Sequence, residues 1–458
     1  MKKEQPNIIL INCDDLGYGD LGCYGNDRHA TPHLDRLAAE GMRFTDFYMA
    51  SPVCSPSRGA MLTGCYPPRI GFGWFDNRWV LLPGHPMGLN PEEVTLAKLL
   101  QGVGYATKLV GKWHCGDQPP FLPTEHGFDH YYGLPYSNDM GKQSNKPDYP
   151  PLPLMRDTEV IQQQPDQCSL TERYVEEATR FIRAHRDRPF FLYFAHLYVH
   201  TPLFVPEVFR KKSRNGNYGA AVACIDWATG VLMHELETLG LDGNTLVIFT
   251  SDNGSARESS NAPLRGKKGT TWEGGLRTPC IMRWPGHIPA GTVQSGLCTS
   301  MDFYPTLAAL GGADIPRDRI IDGLDIQSLM FSENDVPSPR QTFFYYQSNR
   351  LEAVRHGRWK LHVGKKFGKE YRVIRELYDV AKDPGEEHNR YDSEPNVVAQ
   401  LSALLDDCRR DIGDEATGVT GNNIRPIGRV KNPSPLTHYD AQHPYVVEEY
   451  DLEDIKDS

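Results

Sequence analysis

The chain has 458 residues, of which 39% are hydrophobic and 24% charged, with 42 glycines and 35 prolines. This balance is typical of a folded, loop-rich protein and excludes fibrous and disordered classes, and the length allows a large α/β domain with a smaller partner. The formal net charge of −10 disfavours a general nucleic-acid-binding role, because the field of the protein repels polyanions.

The beginning of the chain and its cysteines give expectations about the cellular compartment. The apolar run over residues 8–11 is interrupted at once by Asn12 and two aspartates, so it predicts no signal-peptide core. No stretch reaches the apolar length of a membrane span. Ten cysteines without a CxxC pair favour reduced thiols over a disulfide framework. We therefore expect a cytoplasmic protein that binds neither membranes nor nucleic acids.

Short apolar runs alternate with amphipathic stretches through the first half of the chain, and this alternation predicts strands followed by helices. The predicted order is a strand over residues 7–11, a helix from Thr31 to a stop at Gly41, a helix over 92–101, a strand over 105–110, a helix over 170–185, a strand over 189–195, a helix over 218–239 and a strand over 245–250. Such an order predicts an α/β fold with a mainly parallel or mixed sheet and helices on both faces.

The pattern changes from about residue 341 to short strand-like runs separated by polar turns. These runs cover residues 343–347, 351–355 and 359–363, and a helix over 397–410 follows them. They predict a smaller α+β subdomain with an antiparallel sheet, followed by an irregular tail that ends in an acidic stretch. The Pro-rich stretch 336–340 predicts the boundary, so we expect one domain over residues 1–340 and a second over 341–458.

Polar side chains follow four of the predicted strands at their carboxyl ends, where open α/β sheets bind ligands. They are Asp14 and Asp15, then Lys112, Trp113 and His114, then His196 and His200, and finally Asp252 and Asn253. Three carboxylates and an amide suit a hard divalent cation, while the lysine and histidines suit an anion. Each of these groups of residues also has a purely structural interpretation. Aspartates cap helices, Asn-Gly forms turns, and a single histidine such as His196 often packs in a core.

The segment Cys54-Ser55-Pro56-Ser57-Arg58 has two interpretations that the residues alone leave open. In the structural one, Cys54 is a buried cysteine at the start of a helix, with Pro56 in the first turn. In the functional one, Cys54 is a nucleophile at the positive end of that helix, and Arg58, one turn later, contacts the same anion.

This C-x-P-x-R pattern, followed by Thr63-Gly64, resembles the signature of the type I sulfatases, and in particular the branch of arylsulfatase A and N-acetylgalactosamine-6-sulfatase. Residues 14–20, 111–114, 250–254 and 268–275 also match blocks of that family, and residues 377–386 resemble its C-terminal subdomain. The resemblance spans nearly the whole chain. It implies the fold of the alkaline phosphatase superfamily, with residues 1–340 as the catalytic domain.

The resemblance also implies the chemistry of sulfate monoester hydrolysis. Cys54 would be oxidised to formylglycine by a formylglycine-generating maturase, and the hydrated aldehyde would attack sulfur with one hydroxyl and expel the sulfate with the other. A calcium ion, with Mg²⁺ as the alternative, would be held by oxygen ligands. The implied ligands are Asp14, Asp15, Asp252, Asn253 and the modified Cys54.

Six further roles follow from the same resemblance. Arg58 and Lys112 would hold the formylglycine and neutralise the charge of the sulfate, and His114 would be the base that releases it. His200 and Lys268 would contact the sulfate and protonate the leaving oxygen. Ser137 matches a serine near the pocket.

The resemblance implies a sulfated sugar of a glycosaminoglycan or mucin as the first substrate candidate, and an aryl or steroid sulfate as the next. Substrate specificity is expected in the loops over residues 71–89 and 136–157 and in the tail.

A phosphonate monoester or phosphodiester hydrolase with the same site is an alternative function, and so is a non-catalytic, calcium-dependent binder of sulfated glycans. The absent signal segment predicts a bacterial enzyme matured in the cytoplasm. The oligomeric state and the roles of Trp74, Asn77, Arg78 and His85 stay open.

Overall fold

The computed structural model describes residues 5–142, 146, 148–256, 259–334, 336–367 and 370–445. The helices are α1 (Pro32–Ala39), α2 (Cys54–Thr63), α3 (Leu96–Gly102), α4 (Leu170–Ala184), α5 (Glu207–Arg210), α6 (Gly216–Thr238), α7 (Glu273–Leu276), α8 (Phe303–Gly311), α9 (Gln327–Met330) and α10 (Pro395–Asp411). The strands are β1 (Asn7–Cys13), β2 (Met42–Phe44), β3 (Phe47–Tyr48), β4 (Met87–Gly88), β5 (Ala106–Gly111), β6 (His130–Gly133), β7 (Pro153–Arg156), β8 (Glu159–Gln163), β9 (Phe190–Ala195), β10 (Thr245–Ser251), β11 (Cys280–Arg283), β12 (Thr292–Gln294), β13 (Cys298–Thr299), β14 (Thr342–Gln347), β15 (Arg350–His356), β16 (Trp359–Phe367), β17 (Glu370–Asp379), β18 (Gly413–Asp414), β19 (Val419–Thr420) and β20 (Gly428–Arg429).

The large sheet is mixed and mainly parallel at its centre. Over the described ranges it has ten strands in the order β12-β2-β11-β10-β1-β9-β5-β6-β7-β8. The neighbours from β10 to β6 all pair in parallel, and in β1 Ile9 lies opposite Val247 on one side and Leu192 on the other. β11, β7 and β8 run antiparallel to their neighbours. This arrangement confirms the predicted fold class.

Helices cover both faces of this sheet, which explains why its central strands are apolar throughout. Side chains of β1 alternate between two cores, as expected for a strand. Ile9 and Ile11 pack into the core that contains residues of α1, α4 and α6. Ile8 and Leu10 pack into the core on the other face, which contains residues of α2, α3 and α8.

The second sheet is antiparallel, with the order β14-β15-β16-β17 among the described residues. Its apolar face packs against α10, with Tyr345, Leu361 and Leu401 in one buried cluster. The sequence prediction did not contain β17, because its first seven residues are exposed or half-buried and lack a regular apolar pattern. The predicted C-terminal antiparallel sheet is confirmed, and the domain boundary near residue 340 stays a prediction.

Some predicted boundaries differ from those of the structure. α3 begins at Leu96 and not at residue 92, because the Thr95 hydroxyl caps it by accepting from the Lys98 N–H. The Thr31 side chain makes no cap bond, and the Leu34 N–H at the start of α1 donates instead to Asp226 of α6. The tail is not wholly irregular, since β20 pairs with β4. The acidic stretch over residues 448–457 lies outside the described residues.

All ten cysteines lie in described parts of the chain, and none of them forms a disulfide there. None of the helices in the described ranges combines the length and apolarity needed to cross a membrane.

Candidate active site

The carboxyl ends of β10, β1, β9 and β5 are neighbours in the large sheet, so the residues that follow these strands meet at one edge. Asp14 and Asp15 follow β1, and Asp252 and Asn253 follow β10. Lys112 and His114 follow β5, and His196 and His200 follow β9. The N-terminus of α2, with Cys54, and the loop that carries Lys268 complete the site.

Asp14 lies at the centre of a buried ionic cluster. The Lys112 Nζ lies 2.5 Å from Asp14 Oδ2, and the Arg58 Nη2 lies 3.8 Å from the same oxygen. Arg58 also donates from Nε to Asp252 Oδ2 at 2.9 Å, and its Nη2 lies 2.8 Å from the same oxygen. Burial alone would raise the pKa of Asp14, but Lys112 and the other nearby cations outweigh it and hold this pKa well below its usual value. The cluster therefore keeps Asp14 ionised although it is buried.

Asp15 forms a second group of contacts beside the first. It adopts a left-handed backbone conformation with φ of 64° and accepts from Asn253 Nδ2 at 2.7 Å. The Lys268 Nζ lies 2.7 and 2.8 Å from its two carboxylate oxygens, and the His200 Nε2 lies 3.9 Å from Oδ2. A non-glycine residue in this conformation is strained, and such strain persists where the surroundings fix the residue for function.

The donor set fits a hard divalent cation. The Asp14 Oδ1 and Asn253 Oδ1 atoms are buried and have no hydrogen-bond partner among the described residues. Asp14, Cys54 and Asp252 each offer one ligand atom, and these atoms lie within 4.8 Å of one another. Burial and the neighbouring Asp14 raise the pKa of Asp252 to about 7. Carboxylate and amide oxygens in this number are typical ligands of Ca²⁺ or Mg²⁺.

Cys54 is the first residue of α2 and is buried, with 2% of its surface exposed. No side chain of the described residues caps this helix end, so its positive dipole end faces the site. Burial nevertheless raises the pKa of the thiol, against the effect of Lys112 and Lys268. The unmodified thiol is thus a poor nucleophile at neutral pH, since the thiolate is the reactive form.

Ser137 connects two of the basic groups. Its hydroxyl accepts from Lys112 Nζ at 3.2 Å and lies 3.4 Å from His200 Nε2. The other ring nitrogen of His200 lies 2.6 Å from the carbonyl oxygen of Thr201. Because a carbonyl only accepts, Nδ1 carries a proton and Nε2 faces the site.

His114 is oriented by a backbone group that the sequence analysis missed. Its Nε2 donates to the carbonyl oxygen of Leu81 at 3.0 Å, and its Nδ1 has no hydrogen-bond partner among the described residues. Burial and Lys112 hold the pKa of His114 well below its usual value. A backbone carbonyl has no signature in the sequence, so no motif points to Leu81.

His196 packs in the core, which is the structural interpretation given above for a single histidine. Its ring packs between Phe194 and Tyr198, at centroid distances of 5.8 and 5.2 Å, and its Nδ1 accepts from the Tyr198 N–H. Among the residues with open roles, Asn77 and Arg78 belong to a short turn, where Asn77 has a φ of 70° and Arg78 bonds back to Phe75.

Two family models match the chain. The model for the sulfatase family matches residues 6–313, and the model for the C-terminal part of N-sulphoglucosamine sulphohydrolase matches residues 267–411. The chain belongs to the sulfatase family. This sulfatase is 41% identical to arylsulfatase A of Homo sapiens over 428 residues, which cover 84% of the chain and 83% of that protein. It is 43% identical to N-acetylgalactosamine-6-sulfatase of Rattus norvegicus over 380 residues, or 79% of the chain and 72% of that protein.

Solved structures agree with this assignment. The PsFucS1 sulfatase from Pseudoalteromonas sp. superimposes with a TM-score of 0.79 at 29% identity, over 89% of the chain and 91% of that structure. Ps i-CgsB in complex with k-i-k-neocarrahexaose superimposes with a TM-score of 0.77 at 30% identity, over 88% and 92%. The sulfatase is therefore a sulfuric ester hydrolase of the type I family, as predicted.

Proposed function

We propose that this sulfatase hydrolyses sulfate monoesters through a formylglycine formed from Cys54, beside a bound divalent cation. The observation that carries the proposal is the position of Cys54 at a buried, positive helix end, within reach of the ionic cluster around Asp14. Since burial keeps the thiol protonated, the hydrated aldehyde supplies a reactive hydroxyl that the cysteine lacks. Its formation requires a maturase as a partner of the nascent chain.

The cation would be Ca²⁺, with Mg²⁺ as the alternative, and would supply positive charge to an oxygen of the sulfate. Its ligands would be oxygens of Asp14, Asp15, Asp252, Asn253 and the modified Cys54. The unpartnered Oδ1 atoms of Asp14 and Asn253 support this assignment, because buried acceptors without a donor are costly unless a cation pairs with them.

Arg58 and Lys112 would bind the anionic group, and His114 would act as the base. The Arg58 guanidinium and the Lys112 ammonium are buried and already oriented by Asp252 and Asp14, so little reorganisation is needed when an anion arrives. For His114, the Leu81 carbonyl fixes the proton on Nε2 and leaves Nδ1 with a lone pair. Nδ1 is therefore the atom that would take a proton during release of the sulfate.

Lys268 and His200 would contact the sulfate and protonate the leaving oxygen of the ester. The side chain of Lys268 is 20% exposed and that of His200 is 13% exposed, whereas Asp14, Arg58 and Lys112 are sealed from solvent. The site therefore opens on the side of Lys268 and His200, where the organic part of an ester has room. Ser137, between Lys112 and His200, would contact the sulfate.

The substrate we propose is a sulfated carbohydrate, with aryl sulfates as the second class. One relative is named an N-acetylgalactosamine-6-sulfatase, and one structural neighbour binds an oligosaccharide. The test is release of inorganic sulfate by protein coexpressed with a maturase, from sulfated galactose, N-acetylgalactosamine and glucosamine isomers, an aryl sulfate and a phenylphosphonate. We expect turnover of one sugar isomer above the others. Turnover confined to the phosphonate would instead indicate a phosphonate hydrolase.

A further inference from the structure

A short turn places a large aromatic side chain at the rim of the candidate site. Phe75 and Arg78 exchange backbone hydrogen bonds of 3.0 Å, and the two residues between them have φ angles of 43° and 70°. The next residue is Trp79, whose side chain is one of the large exposed apolar groups, at 40%. Single exposed apolar side chains are common on protein surfaces, so the exposure of Trp79 does not by itself indicate a binding residue, whereas its position beside the site does.

The indole of Trp79 lies against Gly269. A Cβ atom at Gly269 would be only 3.2 Å from Cζ3 of the ring, and the φ of +80° at this position also favours glycine. Gly269 directly follows Lys268, and its N–H donates at 2.8 Å to the carbonyl of Pro52, which is two residues before Cys54. Trp79 therefore lies over the connection between the Lys268 loop and the start of α2.

The segment that follows Trp79 contacts the other side of the site. The Leu81 N–H donates to the Ser55 hydroxyl at 3.2 Å, next to Cys54. The Leu81 carbonyl accepts from His114 at 3.0 Å. Residues 79–81 thus run from Gly269, next to Lys268, to Ser55 and His114 on either side of the candidate site.

The turn before Trp79 is anchored at its first two residues. The Asp76 carboxylate accepts from two nitrogens of Arg429, at 2.9 and 3.1 Å. Phe75 is fully buried and packs edge-on against Phe72 at a centroid distance of 4.9 Å. An aromatic ring that is held in place before the ligand arrives loses little conformational entropy on binding.

We propose that Trp79 is the platform on which the ring of the leaving alcohol stacks, so that it is a specificity-determining residue of this sulfatase. The inference rests on the proposed function, because it takes the side of Lys268 and His200 as the side of the leaving oxygen. The ligand class is a six-membered ring with a flat apolar face, either the C–H face of a pyranose or an aryl ring. The sulfate itself binds deeper, among Arg58 and Lys112.

The experiment compares matured wild type with Trp79→Ala, Trp79→Phe and Trp79→Leu. The leucine variant keeps an apolar contact with Gly269 but removes the flat ring. Phe331→Ala is the control, because Phe331 is 37% exposed and packs on Trp284 outside the site. For each protein, KM is measured for an aryl sulfate and for the best hexosamine sulfate, and the inhibition constant is measured for inorganic sulfate, which has no ring.

We expect Trp79→Ala and Trp79→Leu to raise KM about three- to tenfold for at least one ring-bearing ester, with a smaller rise for Trp79→Phe. The inhibition constant of sulfate and all values for Phe331→Ala should stay within about twofold of the wild type. A rise for the hexosamine ester alone identifies a pyranose platform, and a rise for the aryl ester alone identifies an aryl platform.

Unchanged KM values for both esters in Trp79→Leu would overturn the inference, and so would an equal rise in KM and in the inhibition constant of sulfate. If the wild type released no sulfate from any ester, the proposed function would fail instead. The two failures are therefore distinguishable.

Discussion

The candidate active site and the cluster around Glu273 both bury charged side chains, but they differ in whether their oxygen atoms have partners. We call Glu273, Lys360, His362 and Glu386 the link cluster, because it joins the C-terminal sheet to the loop that carries Lys268. Each carboxylate oxygen of its two glutamates is paired, through contacts with Lys360, His362, Tyr48, Tyr345, Arg277 and the Glu273 N–H.

In the candidate active site, by contrast, the buried Asp14 Oδ1 and Asn253 Oδ1 lack partners among the described residues. Folded proteins rarely leave buried acceptors unpaired, and where they do, a ligand or ion commonly completes the pairing. All carboxylate oxygens of the glutamates in the link cluster have partners, although the buried Nδ1 of His362 has none among the described residues. In the candidate active site two buried oxygens lack partners there, and these are the atoms that we expect to bind a cation.

The largest expected effect is that of Cys54→Ala. The substitution removes the side chain that would become the nucleophile, so sulfate release should fall by more than about 10⁴-fold. Arg58→Lys is a useful companion, because it keeps one positive charge but loses the paired contacts with Asp252 and should retain more activity than Cys54→Ala. Thermal unfolding should show that the alanine variant is folded. Substantial residual turnover would contradict the role of Cys54.

The next largest effect concerns the link cluster. Lys360 donates to Glu273 and to the carbonyl of Thr271, each at 2.9 Å, and forms an ion pair with Glu386 at 2.9 Å, so Lys360→Met removes a cation that two buried carboxylates share. We expect the free energy of unfolding to fall by about 3–5 kcal/mol, as for other buried pairs that lose one partner. Urea unfolding measures this change, with the exposed Lys382→Met as the matched control. Equal stability of the two variants would show that the link cluster does not hold the sheets together.

Removal of the cation should have an intermediate effect. After chelation, addition of Ca²⁺ at about 100 times its dissociation constant should stabilise the folded protein by about 2.7 kcal/mol. A thermal scan measures the shift, and NaCl at equal ionic strength controls for screening. If Ca²⁺ and Mg²⁺ shift the unfolding temperature no more than NaCl does, the assignment of Asp14 and Asn253 as ligands is wrong.

The smallest effect is expected for His196→Asn. An asparagine oxygen can accept the Tyr198 N–H in place of Nδ1, so the substitution keeps the one hydrogen bond that the ring makes with the backbone. We expect kcat within about threefold of the wild type, in contrast to a large loss in His114→Asn. Equal losses in the two variants would give His196 a part in the chemistry.

The sequence was sufficient to predict which residues meet at the carboxyl edge of the large sheet, for a simple physical reason. Asp14, Lys112, His200 and Asp252 follow apolar strands, and parallel strands bring their carboxyl ends to one edge whatever the details of packing. β17 was missed, because a strand whose first seven residues are exposed or half-buried carries too little apolar patterning to be recognised. The contact between Leu81 and His114 and the position of Trp79 beside Gly269 were also beyond prediction, since they depend on how loops pack in three dimensions.

The most direct test of the account is the mass of the peptide that contains Cys54, measured alongside the specific activity of the same preparations. Protein expressed with increasing amounts of a maturase should contain an increasing fraction of formylglycine at position 54, and sulfate release should rise in proportion to that fraction. Full activity in a preparation whose peptide carries only unmodified cysteine would contradict the proposed mechanism.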